Sequence, residues 1–377
     1  MTGGFFRDRR FRNFRRIRRA WWSLWAFVAI SLFCLFAEWV APCDPNAVTD
    51  AASLEPYRIR ETVRTYDVRT ARFSVDASGA AYDWEGPEDL RERFAGLSTD
   101  ALAAAGEAAG YRVTVTPRGD HSRVWMEPRE RPVATEETLS PKPVAFPFPP
   151  CPGHPFGLDA AGRDVFSRVV HGLRIALAFG LVLTFSGMLA GLVAGAVEGY
   201  FGGWADIALQ RFTEIWSAMP FLYVMIFIGS SVGRGFAVLL ACYAAFNWIT
   251  VSYYVRAEFL RLRARTFVEA AKTQGLSPAR IIFVHILPNA LTPLVTLFPF
   301  LLMGAIGSLA ALDFLGFGLP PMTPSCGELL QEAQQFRDAW WLILFPSLAL
   351  FAVMLLTVLV GEGLRDAFDP RERARLE

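Results

Sequence analysis

The sequence predicts an all-α polytopic membrane protein of six transmembrane helices, with a small α+β domain inserted between the first two. Three observations carry this: six apolar runs of bilayer length, basic residues that alternate from side to side, and a long polar stretch after the first run. Apolar residues make up 53% of the 377 and charged residues still reach 19%, a mixture that fits spans plus a soluble insert better than a uniform globular domain.

A bilayer crossing needs about 20 predominantly apolar residues. Trp21 to Ala41, Ile175 to Val197, Trp216 to Val232, Phe236 to Tyr254, Ala290 to Leu312 and Trp340 to Val360 are the runs, the third being the shortest. Arg7, Arg9, Arg10, Arg12, Arg15, Arg16, Arg18 and Arg19 stand against Asp8 before the first run, so the positive-inside bias places the amino terminus in the cytoplasm. Six crossings then put Arg256 to His285 inside, with Arg256, Arg261, Arg263, Arg265, Lys272 and Arg280, and the carboxyl tail inside with Arg365, Arg371, Arg373 and Arg375. The last outer loop, Asp313 to Ala339, has only Arg337. Directly before an apolar run the arginines read as topogenic rather than as a nucleic-acid patch. Phe36-Ala37-Glu38-Trp39 offers no small-residue cleavage site, which predicts an uncleaved anchor rather than a signal peptide.

The chain therefore divides into an Arg-rich cytoplasmic tail (1–20), a first helix (21–41), a periplasmic insert with a pre-helix segment (42–174), a transmembrane core (175–361) and a cytoplasmic tail (362–377). The insert has Pro-rich ends, with Pro42 and Pro45 at one and Pro147, Pro149, Pro150 and Pro152 at the other. Within it Tyr66 to Val75 alternates as a strand, Thr99 or Asp100 caps a helix that Gly110 stops, and Tyr111 to Thr116 reads as a strand. It holds no metal-spaced His/Cys cluster and no nucleophile signature; His121 beside Asp120 reads as a surface pair. Cys43 and Cys151 bracket it on the oxidising side and form a candidate disulfide pair. Two independent thiols are the alternative, and Cys326 is a rival partner.

No charged residue falls in the middle of a run. Glu38, Glu198, Glu258, Asp313 and Glu362 sit at run ends, where solvation is cheap, and Arg211 with Glu214 reads as a local helix pair. That pattern argues against a proton-driven carrier. A membrane-anchored receptor would carry one or two crossings and a signalling domain after the last.

Between the fourth and fifth runs, residues 266–288 form a polar, sharply turned segment. Thr266 and Glu269 have capping-box spacing, Gly275 is placed for a left-handed turn after one helix, and Ser277 with Pro278 opens a second. Phe267, Val268, Ala270 and Ala271 supply an apolar side with small residues. The sequence contains no Gly-x-x-x-x-Gly-Lys-Ser/Thr phosphate loop and no Gly-Lys pair, so ATP, if used, is bound by partners.

This segment resembles the EAA loop of ATP-binding-cassette importer permeases: Glu269-Ala270-Ala271, Gly275 and Leu287-Pro288 fall in that pattern's register, with His285 in place of its Ile. His154-Pro-Phe-Gly157-Leu-Asp159 to Gly162-Arg163-Asp164, Gly202-Gly203-Trp204-Ala-Asp206 with Arg211 and Pro220, and Asp313-Phe-Leu-Gly316-Phe-Gly318-Leu-Pro320-Pro321 are similar to motifs of the dipeptide/oligopeptide class. The run from Gly361 to Arg371 is similar to that of Yej-type permeases of peptide and microcin C-like uptake. The resemblance covers everything except the insert. It implies a type I importer permease fold, no catalytic residue, no metal or cofactor in the chain, and a multi-pass protein of the bacterial inner membrane. It also implies a second permease subunit, two cytoplasmic ATPase domains and a periplasmic solute-binding protein. In that reading Thr266, Glu269, Ala270, Ala271, Gly275, Ser277, Leu287 and Pro288 form the ATPase-coupling site.

Overall fold

A computed structural model describes residues 9–368 apart from 42, 59, 67, 68, 77, 79, 95, 131–133 and 142. Arg7, Asp8, Pro42, Arg371, Arg373 and Arg375 thus lie outside the described residues. The chain divides into two compact units, Met1–Ser53 with Ala145–Glu377, and Leu54–Val144.

The amino-terminal segment is not a free tail. Helix α1 (Arg9–Arg16) is followed by α2 (Arg18–Leu35) and a short α3 (Ala37–Val40), separated by a turn at Phe36. Phe14 and Ala20 are buried against Val360 and Ala367 near the carboxyl end of the chain, and Arg19 meets Asp366 at 3.1 Å. The close approach is made possible by Gly363, where a Cβ would lie 2.0 Å from that of Ala20.

The second unit is an α+β domain. Strands β1 (Arg60–Tyr66), β2 (Ala71–Asp76) and β3 (Ala81–Glu85) are followed by helices α4 (Glu88–Phe94) and α5 (Thr99–Ala108), then by β4 (Tyr111–Arg118), β5 (His121–Pro128) and β6 (Ala134–Pro141). The expected single strand over 66–75 is two, because the chain leaves one ladder at Tyr66 and joins another at Ala71. Four strands form an antiparallel sheet in the order β3-β2-β5-β4, and β1 pairs with β6. Alternation along β2 and β5 turns Phe73, Val75, Val124 and Met126 to one face, where they meet Leu90, Phe94 and Leu102 of the two helices. Burying each such side chain in this soluble domain is worth about 1.5–3 kcal/mol. Gly110 takes φ +84° at the end of α5, the left-handed position that stops a helix. His121 Nδ1 lies 2.9 Å from the carboxylate of Asp120, whose side chain is 98% exposed, so the pair is a surface feature.

The neck of this unit is closed by the β1–β6 ladder, from Arg60↔Pro141 to Tyr66↔Ala134. Of the two alternatives for Cys43 and Cys151, the structure has the independent thiols: all five cysteines are free. Cys151 sits in a tight turn that exchanges backbone bonds with His154, at 3.1 and 2.9 Å. Burial, with the nearby Asp164 carboxylate, pushes both thiols up and disfavours the thiolate that exchange requires.

The remaining helices are α6 (Val165–Phe201), α7 (Gly203–Ser217), α8 (Phe221–Ser231), α9 (Phe236–Arg263), α10 (Thr266–Thr273), α11 (Pro278–Arg280), α12 (Leu287–Phe314), α13 (Cys326–Ala333) and α14 (Trp340–Phe368). Among the described residues four segments are long and apolar enough to cross a membrane: Val165–Phe201, Phe236–Arg263, Pro278–Phe314 and Trp340–Phe368. A fifth exists only if α7 and α8, bent by 71°, are one crossing. The expected third run, 216–232, is therefore no single helix; Pro220 lacks the amide that would continue α7 and instead caps α8. The expected first run falls short because its helix opens on Arg18 and Arg19 and turns at Phe36.

Lipid is as apolar as leucine, so helices in a bilayer associate by close packing rather than by hiding from water. The α6–α9 pair shows how. Gly187, Gly191, Gly195 and Gly199 recur every fourth residue and form one stripe facing α9. A Cβ at Gly191 would lie 2.5 Å from the Trp248 carbonyl oxygen, at Gly195 2.5 Å from that of Ser252, and at Gly199 2.5 Å from Phe259 Cβ. The two backbones lie against each other from Gly191 to Gly199, over about 12 Å of helix.

Candidate functional site

The 266–288 segment follows α9 after Ala264 and Arg265 only. Helix α10 begins one residue earlier than a capping box needs: Arg265 is the cap, its carbonyl accepting from Val268 N at 2.9 Å and Glu269 N at 3.1 Å, with no side-chain cap. Thr266 and Glu269 thus stand inside the helix, and the expected reciprocal cap is absent. The helix ends in a Schellman arrangement, with Leu276 N bonding Ala271 O at 3.2 Å and Gly275 N bonding Lys272 O at 2.9 Å. Gly275 takes φ +75°, which favours glycine although open space surrounds it.

Ser277 Oγ accepts from Arg280 N at 3.4 Å, with Pro278 at the first helical position. The second arm is not a separate short helix. It passes through a π-helical turn (Ile281–Ile286) straight into α12, so Pro278 to Phe314 is one continuous rod. The wider turn absorbs Pro288, which cannot donate to the ladder, and Asn289 Nδ2 bonds the His285 carbonyl at 2.9 Å.

One face of this hairpin is seated. Val268 and Ala271 are buried with Phe259, Leu262, Ile281 and Ile286. The other face is open: Glu269 and Ala270 are exposed, as are Phe267 at 41%, Phe283 at 66% and Val284 at 58%. The two alanines thus differ in role, Ala271 belonging to the seat and Ala270 to the open face. Thr266, Gly275, Ser277 and Pro288 are exposed and Leu287 is half-buried. No ion pair involves Glu269 among the described residues.

Beside the seat lies a polar knot that run-by-run reading missed. Glu198 is fully buried, not solvated at a run end. Its carboxylate accepts from Gln210 Nε2 at 2.7 Å and Ser252 Oγ at 3.2 Å, and lies 3.8 Å from Arg256 Nε. Arg256 forks onto Asp206 at 2.5 and 2.8 Å. Arg263 Nη1 donates to the Tyr200 carbonyl at 3.4 Å, and Lys272 Nζ sits 6.0 Å from the Tyr200 ring centre. By contrast, Arg211 and Glu214 form the expected local pair, exposed, at 2.5 Å.

The opposite end of the helices carries a second ionic cluster. Asp164 caps α6, accepting from Ser167 N at 2.8 Å. Asp159 holds Arg163 Nε at 2.7 Å and Arg168 Nη1 at 2.9 Å, and Arg168 is fully buried. These arginines reach α13, Arg168 to Glu328 at 2.6 Å and Arg163 to Glu332 at 3.1 Å. Burial raises the Glu332 carboxyl above its ordinary range, with the charge on Asp159 adding to it. Asp313 is also buried, accepting from Leu319 N at 2.7 Å and from Ser325 Oγ. Among the described residues no group of His, Cys, Asp and Glu side chains could hold a metal ion.

Long apolar helices, a hairpin seated at the end of one of them and motif segments locked at the other end, with the family match that follows, define a multi-pass transport permease. The chain belongs to the family of binding-protein-dependent transport system inner membrane components, whose model matches residues 187–374. The N-terminal TM domain of oligopeptide transport permease C matches residues 5–56, so most of the inserted domain falls between the two matches. The chain is similar to the peptidoglycan transport system permease protein YejE of Agrobacterium fabrum, at 46% identity over 58% of this chain and 58% of that protein. It is also similar to the inner membrane ABC transporter permease protein YejE of Escherichia coli, at 44% over 60% of this chain and 67% of that one. The dipeptide transport system permease protein DppC of Alkalihalophilus pseudofirmus is 36% identical over 60% of this chain and 74% of its own length. The chain thus aligns to less than two thirds of the first of these relatives.

Proposed function

We propose that this chain is one permease subunit of an ATP-binding-cassette importer, forming half of a path for peptides or peptide-like compounds. The observation that carries the reading is the 266–288 hairpin: capped by Ser277, turned by Gly275, seated through Val268 and Ala271, and open at Glu269 and Ala270. A hairpin already folded can receive a push without first losing ordering entropy. A cytoplasmic ATPase subunit docks on its open face, and ATP-driven closure of two such subunits moves the helices. The lack of a phosphate loop in this chain supports an external energy source. A second permease completes the path, and a periplasmic binding protein delivers the cargo. Relatives named for peptidoglycan and dipeptide transport support the cargo class.

In this reading both termini and the hairpin are cytoplasmic, α2 with α3 and the bent α7–α8 pair bring the crossings to six, and the inserted domain is periplasmic. The test is Glu269→Arg and Gly275→Val in the assembled transporter. Both are expected to abolish peptide uptake and reduce co-purification of the ATPase while the permease stays in the membrane. Normal uptake by either variant refutes the docking role. Uptake in vesicles driven by a proton gradient, without ATP or partner proteins, refutes the importer reading itself.

A further inference from the structure

We infer that Glu198, with the Arg256–Asp206 pair, is the positioning element that carries the motion of the 266–288 hairpin to α7 and on to the bend before α8. The inference rests on the coupling reading above and assigns the residues that transmit its stroke inside this subunit.

The argument starts from burial. A carboxylate with no exposed surface has lost its hydration and is stable only where other groups hold it. Among the described residues both hydrogen bonds to the Glu198 carboxylate come from other helices: Gln210 belongs to α7 and Ser252 to α9. The nearest cation, Arg256, is on α9 as well, and its fork closes on Asp206 of α7. Three helices therefore meet through one charge, and sliding any of them by a turn would strand it. The glycine stripe sets the same condition for α6 and α9 by shape, because at Gly195 and Gly199 there is no room between the backbones. The knot makes α6, α7 and α9 one body at this end.

That body is joined to the hairpin at two places. Helix α9 runs into α10 after two residues, and Lys272 of α10 lies 6.0 Å from the ring centre of Tyr200 on α6. At its far side α7 ends at Ser217, and the chain bends by 71° into α8 across Pro220. A push on α10 is thus delivered undiminished to Ser217, and the deformable joint is the Ala218–Pro220 link. Tyr253 with Thr213 and Trp216 Nε1 with the Ala245 carbonyl at 2.9 Å keep α7 on α9 up to the joint.

The test uses the complete importer, this chain with its permease partner, ATPase subunits and binding protein, in proteoliposomes with a radiolabelled tripeptide. The readout is tripeptide moved per ATP hydrolysed. Glu198→Ala is expected to lower that ratio about tenfold, within the usual size of coupling between sites, with ATPase co-purification and membrane abundance unchanged. Glu198→Gln, which keeps hydrogen-bonding capacity without the charge, should recover most of it. Asp206→Ala and Arg256→Ala should each lower the ratio, and the double variant should be no worse than either alone. A ratio within about twofold of the parent for Glu198→Ala and Asp206→Ala, in intact complexes, overturns the inference. So does loss of ATPase binding in step with transport, which would make the knot a scaffold for the hairpin. Glu269→Arg in the same assay separates the two levels: if it alone leaves coupling intact, the docking reading has failed.

Discussion

The glycine stripe of α6 gives a prediction whose sign can be worked out in advance. Replacing Gly195 by alanine adds one methyl group. In the middle of a helix alanine is favoured over glycine by about 1 kcal/mol, so without tertiary contacts the change would stabilise. The structure reverses this. The new methyl would stand 2.5 Å from the Ser252 carbonyl oxygen, 2.7 Å from Val255 Cβ and 2.8 Å from Arg256 N. Two of these are backbone atoms, which cannot swing aside as a long side chain would. Relief requires α6 and α9 to part by roughly 1 Å, and a gap of that size forfeits a quarter to a half of each dispersion contact beside it. Overpacking of this kind costs about 1–3 kcal/mol, and the rigid neighbours put Gly195 near the top of that range. The net expectation is destabilisation by about 1–2 kcal/mol. Gly304 of α12 is the internal control, since nothing lies within 4 Å of its would-be Cβ. Gly304→Ala should therefore keep the helix benefit. Thermal unfolding of the purified subunit in detergent should place the two variants on opposite sides of the parent, at about 2–4 °C per kcal/mol. Equal or greater stability of Gly195→Ala relative to Gly304→Ala would refute the close-packing argument.

Two further outcomes follow from the ionic end of the helices. The folded protein raises the Glu332 carboxyl above its ordinary 4.5, so its stabilising contribution is complete below that value and is lost as pH rises through the raised one. Melting temperature should fall between mildly acidic and neutral pH, and Glu332→Gln should flatten that slope; an unchanged slope in the variant would assign it elsewhere. Cys326 is buried and its thiol is pushed up to about 12, so maleimide at neutral pH should leave it unmodified in the native protein while half-buried Cys43 and Cys151 react. Labelling of Cys326 at the rate of the other two, read by peptide mass, would show that α13 opens.

How much of this was legible in the sequence depends on what each signal averages over. Length and apolar content recovered α6, α9, α12 and α14, because those helices are apolar on every side. The same averaging concealed the break at Pro220: a window over 216–232 is apolar whether or not one amide is missing, although the proline was visible. The hairpin's turn was readable from Gly275 and Ser277 because each supplies a backbone condition that few residues meet. Its beginning was not, since Thr266 and Glu269 keep capping-box spacing whether the cap is Thr266 or Arg265. In the inserted domain Gly110 signalled where the helix at 99–108 stops, but its cap is Ser98 and neither Thr99 nor Asp100, and the ladder that closes the neck joins residues 68 to 81 positions apart, a pairing that no local pattern reports. Glu198 is the most instructive case. Read along the chain it stands three residues from the end of an apolar helix, where water is the natural expectation. Its burial depends on Gly195 and Gly199 bringing α9 close enough to cover it, and on Ser252 and Arg256 being the residues that α9 then presents. The period of four in the glycines was in plain view. Its consequence for a carboxylate one residue before Gly199 exists only when two helices are in contact.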